Sequence, residues 1–444
     1  MAILTKLEAE TLLKKILSFS KAEQAEVNIN GSEGGNIRYA RNSVSTSGAV
    51  SQNSIVVSSA YGKKMGVATI NEYDDASLEK VVKRSEELAK LAPENPEFMP
   101  FLGPQKYADS STFVEATAAI TPKDRADAVE TSLKIAMEAN VTAAGFLENS
   151  TGYSAVMNSK GLFAYNKATS CSFSVTLRTS DGKGSGYATK GYNDFRQLNI
   201  LKDTVIGVSK AVNSQQARAI EPGKYTVVLE PAAVAVLLEN LFFDFDARSA
   251  DEGRSSMSKP GGKTKLGDKF VDERITVYSD PQNVLLPTSP WSGDGRPQEK
   301  ITWIEKGVLK NFFYSRFWAD KKGVKAVPMP EAAIMEGGNA SLEELIRGTE
   351  KGILVTRLWY IRPVDPQTLL LTGLTRDGTF YIEDGKIKYP VKNFRFNESP
   401  IIMLNNVDAI GKSERTVSGE SFGNYLLPPM RIKEFTFSSL SDAV

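Results

Sequence analysis

The predicted elements in the first half of the chain follow the same order twice. Each round consists of a capped amphipathic helix, short alternating runs broken by glycine and asparagine, and a second helix. The first round consists of a helix opened by the Thr5 and Glu8 capping box, a strand meander over residues 25–69 and a helix over 77–90. The second consists of a helix over 121–140, a meander over 141–189 and a helix over 199–212. This order predicts two similar units within one α/β domain.

A short glycine-containing signature supports the relation between the two rounds. Residues 62–69 read Gly-Lys-Lys-Met-Gly-Val-Ala-Thr, and residues 182–189 read Gly-Lys-Gly-Ser-Gly-Tyr-Ala-Thr. Self-similarity at a fixed spacing is typical of repeated structural units. We therefore predict a degenerate duplication of a helix, meander, helix unit; the alternative is a chance likeness between two glycine-rich hairpins.

A polar stretch over residues 215–223, which ends in Glu-Pro-Gly, predicts a domain boundary. At 444 residues the chain is long enough for two domains, and we place them at 1–220 and 221–444. Strand-like runs dominate beyond the boundary, with one capped helix over 342–347; the runs are 224–230, 274–278, 308–314, 353–359, 368–372, 380–383 and 433–437. The predicted fold class is α+β, with an N-terminal α/β domain and a β-rich, barrel-like or sandwich-like C-terminal domain.

The chain contains no histidine, and this absence excludes several mechanisms. Histidine is the commonest metal ligand and the usual general base near neutral pH. Catalysis by Ser-His-Asp or Cys-His groups and zinc held by histidine are therefore ruled out. Cys171 is the only cysteine, so an intramolecular disulfide and a thiolate metal cluster are excluded as well. Its alternating surroundings favour a small buried side chain over a reactive thiol.

Charge and hydropathy limit which kinds of partner the chain is expected to bind and where in the cell it is expected to reside. Lys and Arg number 54 and Asp and Glu number 53, so no overall positive field attracts nucleic acid, and we expect no direct nucleic-acid contact. Charged residues interrupt the N-terminal stretch, so a signal peptide is not predicted. The apolar runs are shorter than the roughly 20 residues of a membrane-spanning helix. A cytoplasmic location without membrane contact fits these features best.

The most apolar segment lies just after the predicted boundary. A Val-Val-Leu strand leads to Glu230 and Pro231, and the helix that begins there is apolar on every side. Glu239, Asn240 and Asp244 are its first strongly polar residues. A carboxylate on a buried helix must be paired, protonated or bound to a ligand. These three residues are therefore the first candidates for a site.

This strand and helix resemble those of the TldD/PmbA family, whose members are described as modulators of DNA gyrase and as peptidases. Active members carry His-Glu-x-x-x-His on the helix, with a later cysteine as third zinc ligand and the glutamate as the base that deprotonates a metal-bound water. Aligned on the strand, the first His falls on Glu239, the Glu on Asn240, the second His on Asp244 and the Cys on Ser418. All four positions have lost the required chemistry, so no catalytic residue and no metal ligand is expected here.

Further segments resemble the family in the same order along the chain. They are residues 292–297 (Ser-Gly-Asp-Gly-Arg-Pro), 304–310, 338–346, 351–355, 372–376 and 382–387. Each is a weak signal by itself, because Asp-Gly turns are common, but together in this order they make a strong one. Within the first segment, Asp294 and Arg296 are candidate substrate-binding residues of a cleft; the alternative is that they only close a turn.

The resemblance implies an N-terminal α/β domain, a β-rich C-terminal domain that holds the site, and assembly into a homodimer or heterodimer. It also implies the PmbA/TldE-like branch, whose members lack the metal motif and pair with a metal-bearing TldD-like subunit. Such a pair degrades or processes unstructured peptides. This chain is then the non-metal subunit of a metallopeptidase, and zinc or another divalent metal is expected only in the partner.

Two other interpretations stay open. Glu239 and Asp244 offer carboxylate oxygens, which suit Mg²⁺, Mn²⁺ or Ca²⁺ in an atypical metallopeptidase, although Asn240 cannot act as a general base. Alternatively, the chain is a regulator that acts on DNA gyrase indirectly, through proteolysis of another protein.

Overall fold

The computed structural model describes residues 3–417, 420 and 423–442. Within these residues, the first half of the chain forms one antiparallel sheet of six strands, in the order β3-β2-β1-β4-β5-β6. Its strands are β1 (Gln24–Ala40), β2 (Ser43–Tyr61), β3 (Lys64–Ile70), β4 (Val141–Asn158), β5 (Phe163–Thr179) and β6 (Ser185–Tyr192). Its helices are α1 (Lys6–Ser18), α2 (Asp75–Leu91), α3 (Glu115–Ala118), α4 (Pro122–Glu138) and α5 (Ile200–Asn213).

The four longer helices cover one face of this sheet in two pairs. Along β1 the apolar side chains at odd positions point to that face, because successive strand residues alternate sides. Val27 and Ile29 belong to the cluster under α1 and α2, whereas Ile37 and Tyr39 belong to the cluster under α4 and α5. The predicted order of helix, strand meander and helix occurs twice, and each meander has three strands. The origin of this order in a duplication stays a prediction.

The two glycine-containing signatures lie in the hairpins β2–β3 and β5–β6, where a strand meets a helix at close range. A Cβ atom on Gly66 would lie 2.3 Å from Ser85 O of α2, and one on Gly186 would lie 2.0 Å from Gly207 O of α5. No side chain fits in either place. Close approach of backbones explains why both hairpins carry glycine at the same position.

The second half contains two large sheets. One has the order β15-β16-β19-β23-β7-β14-β17-β18, with β20 beside β23, and the other has the order β12-β11-β10-β13-β22-β21. The strands are β7 (Gly223–Leu229), β8 (Ser258–Lys259), β9 (Lys263–Thr264), β10 (Val277–Ser279), β11 (Ile301–Glu305), β12 (Val308–Leu309), β13 (Ala332–Met335), β14 (Lys351–Val355), β15 (Leu358–Asp365), β16 (Leu370–Thr375), β17 (Thr379–Glu383), β18 (Lys386–Pro390), β19 (Phe394–Glu398), β20 (Val407–Ile410), β21 (Glu414–Thr416), β22 (Asn424–Leu427) and β23 (Met430–Leu440). The helices are α6 (Pro231–Phe243), α7 (Ala247–Asp251), α8 (Arg316–Lys322), α9 (Leu342–Arg347) and α10 (Pro400–Asn405).

The barrel-like form expected for the second half is wrong, because neither large sheet closes on itself within the described residues. The reason is the apolar helix α6, which lies between the two sheets and contacts β7 and β15 of one and β21 and β22 of the other. A single core contains side chains of α6 and of both sheets. A helix that is apolar on every side needs apolar partners all round, and two separate sheets supply them.

Several local predictions are confirmed and others are incomplete. The Thr5 and Ser341 capping boxes form as expected. The strand predicted over 308–314 is largely wrong, since β12 ends at Leu309. Helices α8 and α10 were not predicted; they are short, and Ser315 and Ser399 cap them.

The two halves are joined through buried and partly buried polar contacts. Ser185 Oγ of β6 donates a 2.6 Å hydrogen bond to Asp377 Oδ1, and Arg357 Nη1 donates one of 2.6 Å to Asp377 Oδ2. Lys210 Nζ of α5 lies 2.7 Å from Glu230 Oε2, at the start of α6. Since Asp377 is 2% exposed, its contacts are shielded from water and hold the halves in a fixed arrangement.

Two features bear on chemistry and location. Cys171 is buried, as predicted, and burial raises the pKa of its thiol to about 12, so the thiol is unreactive at neutral pH. In the described part of the chain, no helix is long and apolar enough to span a membrane.

Candidate functional site

Helix α6 places the candidate site inside the second half. Strand β7 ends at Leu229, Glu230 is the N-cap residue and Pro231 occupies the first turn, which suits proline because the first backbone N–H groups of a helix lack partners anyway. The side chains from Ala233 to Leu238 are buried, as predicted. The polar residues Glu239, Asn240 and Asp244 therefore occupy the last part of a helix that lies between two sheets.

Glu239 is 6% exposed, and its carboxylate is held by the segment that leads into β22. Oε1 accepts a 2.9 Å hydrogen bond from Tyr425 Oη and one of 3.1 Å from the backbone N–H of Gly423. Burial, together with the negative charge of Glu239, raises the pKa of Tyr425. The phenol therefore keeps its proton and acts as the donor, which ties α6 to β22.

Asn240 bonds to its own helix. Its Nδ2 donates a 2.7 Å hydrogen bond to Val236 O, one turn earlier. An amide held in this way has no basic lone pair available for deprotonating water. Asn240 is therefore unsuited to the role that a glutamate would fill at this position.

Asp244 ends α6 and bonds to a different segment. Its Oδ2 accepts a 3.0 Å hydrogen bond from the backbone N–H of Ser256 and a second, short one from the hydroxyl of that residue. The hydroxyl of Ser255 donates to the backbone oxygen of Asp244 at 2.9 Å. Burial raises the pKa of Asp244 in spite of the opposing hydrogen bonds from the two serines. This carboxylate fixes the loop after α7.

The arrangement does not fit a metal ion. Glu239 and Asp244 accept hydrogen bonds from separate segments, and the described residues contain no group of three or more acidic or thiol side chains that could hold a metal. The interpretation that Glu239 and Asp244 bind Mg²⁺, Mn²⁺ or Ca²⁺ through their oxygens thus gains no support from the structure. Two carboxylates alone do not complete the coordination sphere of such an ion. Ser418, aligned with the third ligand, lies outside the described residues.

Asp294 and Arg296 form an ion pair within one turn. Arg296 Nε lies 2.7 Å from Asp294 Oδ2, and Arg296 Nη1 donates a 2.6 Å hydrogen bond to Tyr314 O. Burial opposes ionisation of Asp294, but hydrogen bonds from Arg296 and Ser292 outweigh it and lower the pKa of Asp294. The two residues close the turn, and Arg296 also lines a cavity of about 380 Å³ between the halves. Their role in binding substrate stays a prediction.

A larger cleft between the two halves was not predicted. It has a volume of about 1000 Å³ and is lined by α5 and β6 on one side and by α9, β21 and the start of α6 on the other. Lys190 of β6 and Glu414 of β21 form an ion pair of 3.2 Å across it. These two residues are far apart in the sequence, and no local pattern marks either of them, so only the folded chain shows that they meet.

The sequence matches three family models in succession along the chain. Residues 25–89 match the PmbA/TldA metallopeptidase domain 1, residues 108–214 match the central domain and residues 222–439 match the C-terminal domain. The matched regions leave out only short segments at the ends and between the domains.

Two of the curated relatives that match the chain are named as metalloproteases. The protein named Metalloprotease of Methanothermobacter thermautotrophicus is 25% identical over 286 residues, which span 59% of this chain and 60% of that relative. Metalloprotease PmbA of Escherichia coli O157:H7 is 25% identical over 173 residues, which span 38% of this chain and 37% of that relative. The chain thus spans less than two thirds of the length of either relative.

A solved structure shares the fold over almost its whole length. TldE from Thermococcus kodakarensis aligns with a TM-score of 0.87 and 19% sequence identity, over 97% of this chain and 99% of that one. At this identity the likeness shows the fold alone. Because the three family models together match most of the sequence, the chain belongs to the PmbA/TldD family.

Proposed function

We propose that this chain is the non-metal, TldE-like subunit of a heteromeric metallopeptidase. In this proposal it binds unstructured peptides in the cytoplasm and pairs with a TldD-like subunit, which supplies the metal and cleaves the peptide bond. The observation that carries the proposal concerns the three residues of α6 that align with the metal motif of the family, Glu239, Asn240 and Asp244. Each of these side chains forms a hydrogen bond within the protein.

The side chains at these positions favour a structural over a catalytic role. A hydrolytic zinc centre needs three ligands around an open position and a base beside it. Glu239 is bonded to Tyr425 and Gly423, and Asp244 is bonded to Ser256. We infer that the helix kept its place between the sheets while its polar residues became contacts that stabilise the fold.

The cleft between the halves supports a role in binding peptides. Binding clefts combine apolar walls with a few fixed polar groups, and this one has both. Its apolar lining includes Val205, Ile206 and Leu342, and its polar lining includes the ion pairs Lys190–Glu414 and Lys210–Glu230. A volume of about 1000 Å³ is enough for several residues of an extended chain.

The test is to purify the chain alone and together with a TldD-like subunit from the same genome. We expect a stable complex, cleavage of unstructured peptides by the complex, and no cleavage by this chain alone. A complex in which the partner's His-Glu-x-x-x-His glutamate is changed to glutamine serves as the control and should be inactive. The proposal fails if no complex forms and peptidase activity of the partner is unchanged by adding this chain.

A further inference from the structure

The cleft between the halves contains one buried carboxylate that differs from the others. Asp203 lies in the first turn of α5, lines the cleft and is 4% exposed. Within the described residues its side chain has no hydrogen bond and no ion pair within 4.0 Å, although Lys190 and Tyr192 are close enough for its charge to affect them. Its carboxylate oxygens do not belong to the fully buried unpartnered atoms of the described residues, so they keep contact with the space of the cleft.

Every other buried carboxylate in the described part of the chain has hydrogen-bond donors. These are Glu26 (bonded to Asn28 and Asn158), Glu86 (Ser20 and the backbone N–H groups of Lys21 and Ala22), Glu239 (Tyr425 and Gly423), Asp377 (Ser185 and Arg357) and Glu398 (the backbone N–H groups of Ser399 and Thr436). Burying a charge without donors is costly. Asp203 is the exception: among the described residues it has the positive end of the α5 dipole beside it but no hydrogen-bond donor.

The cations near Asp203 are not placed to serve it. Lys190 Nζ lies 3.2 Å from Glu414, across the cleft, and Lys202 is the next residue along α5, with an exposed side chain. Burial raises the pKa of Asp203, and the positive charges of Lys190 and Lys202 only partly oppose this effect. A ligand that carries a cationic group with N–H donors would supply the charge-assisted hydrogen bonds that this carboxylate lacks.

We propose that the cleft holds an extended peptide and that Asp203 receives the side chain of a lysine or arginine of that peptide. The inference rests on the proposed function, because it names the chemistry of the peptide that this subunit binds. The surroundings suit such a side chain: Ile206, three residues further along α5, offers apolar surface for its methylene groups, and the ring of Tyr192, which Arg415 approaches to 5.6 Å, also lines the cleft. Asp203 then acts as a residue that determines specificity and not as a catalytic residue.

The test uses the full chain alone, so that failure to assemble with a partner does not affect it. Two labelled unstructured peptides are compared by fluorescence anisotropy; they share one sequence except that a central lysine is replaced by glutamine. Charge-assisted hydrogen bonds contribute about 1.5–3 kcal/mol, so the lysine peptide should bind roughly 10- to 150-fold more tightly. In Asp203→Asn this preference should disappear, while the affinity for the glutamine peptide stays the same.

Two controls separate binding from folding. Asp127→Asn changes an exposed carboxylate on α4, which pairs with Lys123 outside the cleft, and should leave the preference for lysine intact. Asp203→Asn should be at least as stable as the wild type in urea, because no side-chain hydrogen bond is lost, whereas a structural role for Asp203 would lower its stability. Equal affinity of the wild type for both peptides, binding of neither, or an unchanged preference in Asp203→Asn would overturn the inference.

Discussion

The hydroxyl of Tyr425 donates a 2.9 Å hydrogen bond to the carboxylate of Glu239, and both residues are almost fully buried. The resemblance to active members of the family predicts that Glu239 stands where they carry their first metal-binding histidine. A strong acceptor on a helix between two sheets must be satisfied by the protein. Here Tyr425 and the backbone N–H of Gly423 donate to it, and these hydrogen bonds connect α6 to β22.

Tyr425→Phe removes the hydroxyl donor and leaves Glu239 with fewer partners in a buried place. We expect a loss of about 1–3 kcal/mol in the free energy of unfolding, since a buried acceptor that loses a donor costs this much. Urea denaturation followed by tryptophan fluorescence measures it. Tyr360→Phe, at a residue 48% exposed, is the matched control and should change little. An unchanged stability in Tyr425→Phe would mean that the hydrogen bond does not support the fold.

Asp377→Asn tests the contact between the halves. Asp377 accepts hydrogen bonds from Ser185 of the first half and from Arg357, and removing its charge leaves the Arg357 guanidinium largely buried without a counter-ion. Breaking a buried pair costs about 3–5 kcal/mol, so denaturation should begin at lower urea concentration. Asp384→Asn, whose partner Lys388 is on the surface, should be neutral. Equal stability of the two variants would contradict the claim that Asp377 stabilises the contact between the two halves.

Gly186→Ala tests the packing of α5 on β6. The added methyl group would lie 2.0 Å from Gly207 O, so the helix must move away from the strand. Overpacking of this kind costs about 1–3 kcal/mol, and thermal unfolding should shift to lower temperature. Gly103→Ala, where the added atom meets nothing within 4 Å, is the control. Equal stability of Gly186→Ala and Gly103→Ala would contradict the inference that close backbone packing of α5 on β6 requires glycine at position 186.

The Asp294–Arg296 pair predicts a dependence of stability on pH. The pKa of Asp294 is lowered in the folded chain. An acid of this kind stabilises the fold above its unfolded pKa, about 3.9 for aspartate, and loses that contribution as the pH falls through the folded value. Urea midpoints of the wild type and Asp294→Asn should therefore differ at neutral pH and converge in acid. A difference that is independent of pH would show that the ionised carboxylate is not what matters.

The sequence predicted much of the local structure, because its signals are short-range. The capping residues Thr5, Thr121 and Ser341 open helices where expected, and the apolar helix after Glu230 is buried as its composition requires. The predicted barrel-like form was wrong because the number of strands does not reveal how they divide between sheets. That division depends on the packing of α6 between the two sheets. Helix α10 was not predicted, because its 6 residues are too few to show a helical period in the sequence.

The candidate site could be located from the sequence but not described. The alignment placed Glu239, Asn240 and Asp244 on α6, and the structure adds that each has a different partner. No pattern in the sequence links Glu239 to Tyr425, or Lys190 to Glu414, because these pairs form only when distant segments come together. For the same reason Asp203 did not stand out from the other charged residues of an ordinary amphipathic helix.

The most direct test of the central claim is the metal content of the protein. The chain is purified without chelators, alone and in complex with a TldD-like subunit, and both samples are measured by elemental analysis. Our account predicts no stoichiometric metal in the chain alone and metal in the complex in proportion to the TldD-like subunit. Stoichiometric metal in the chain alone, lost in Glu239→Gln or Asp244→Asn, would contradict it.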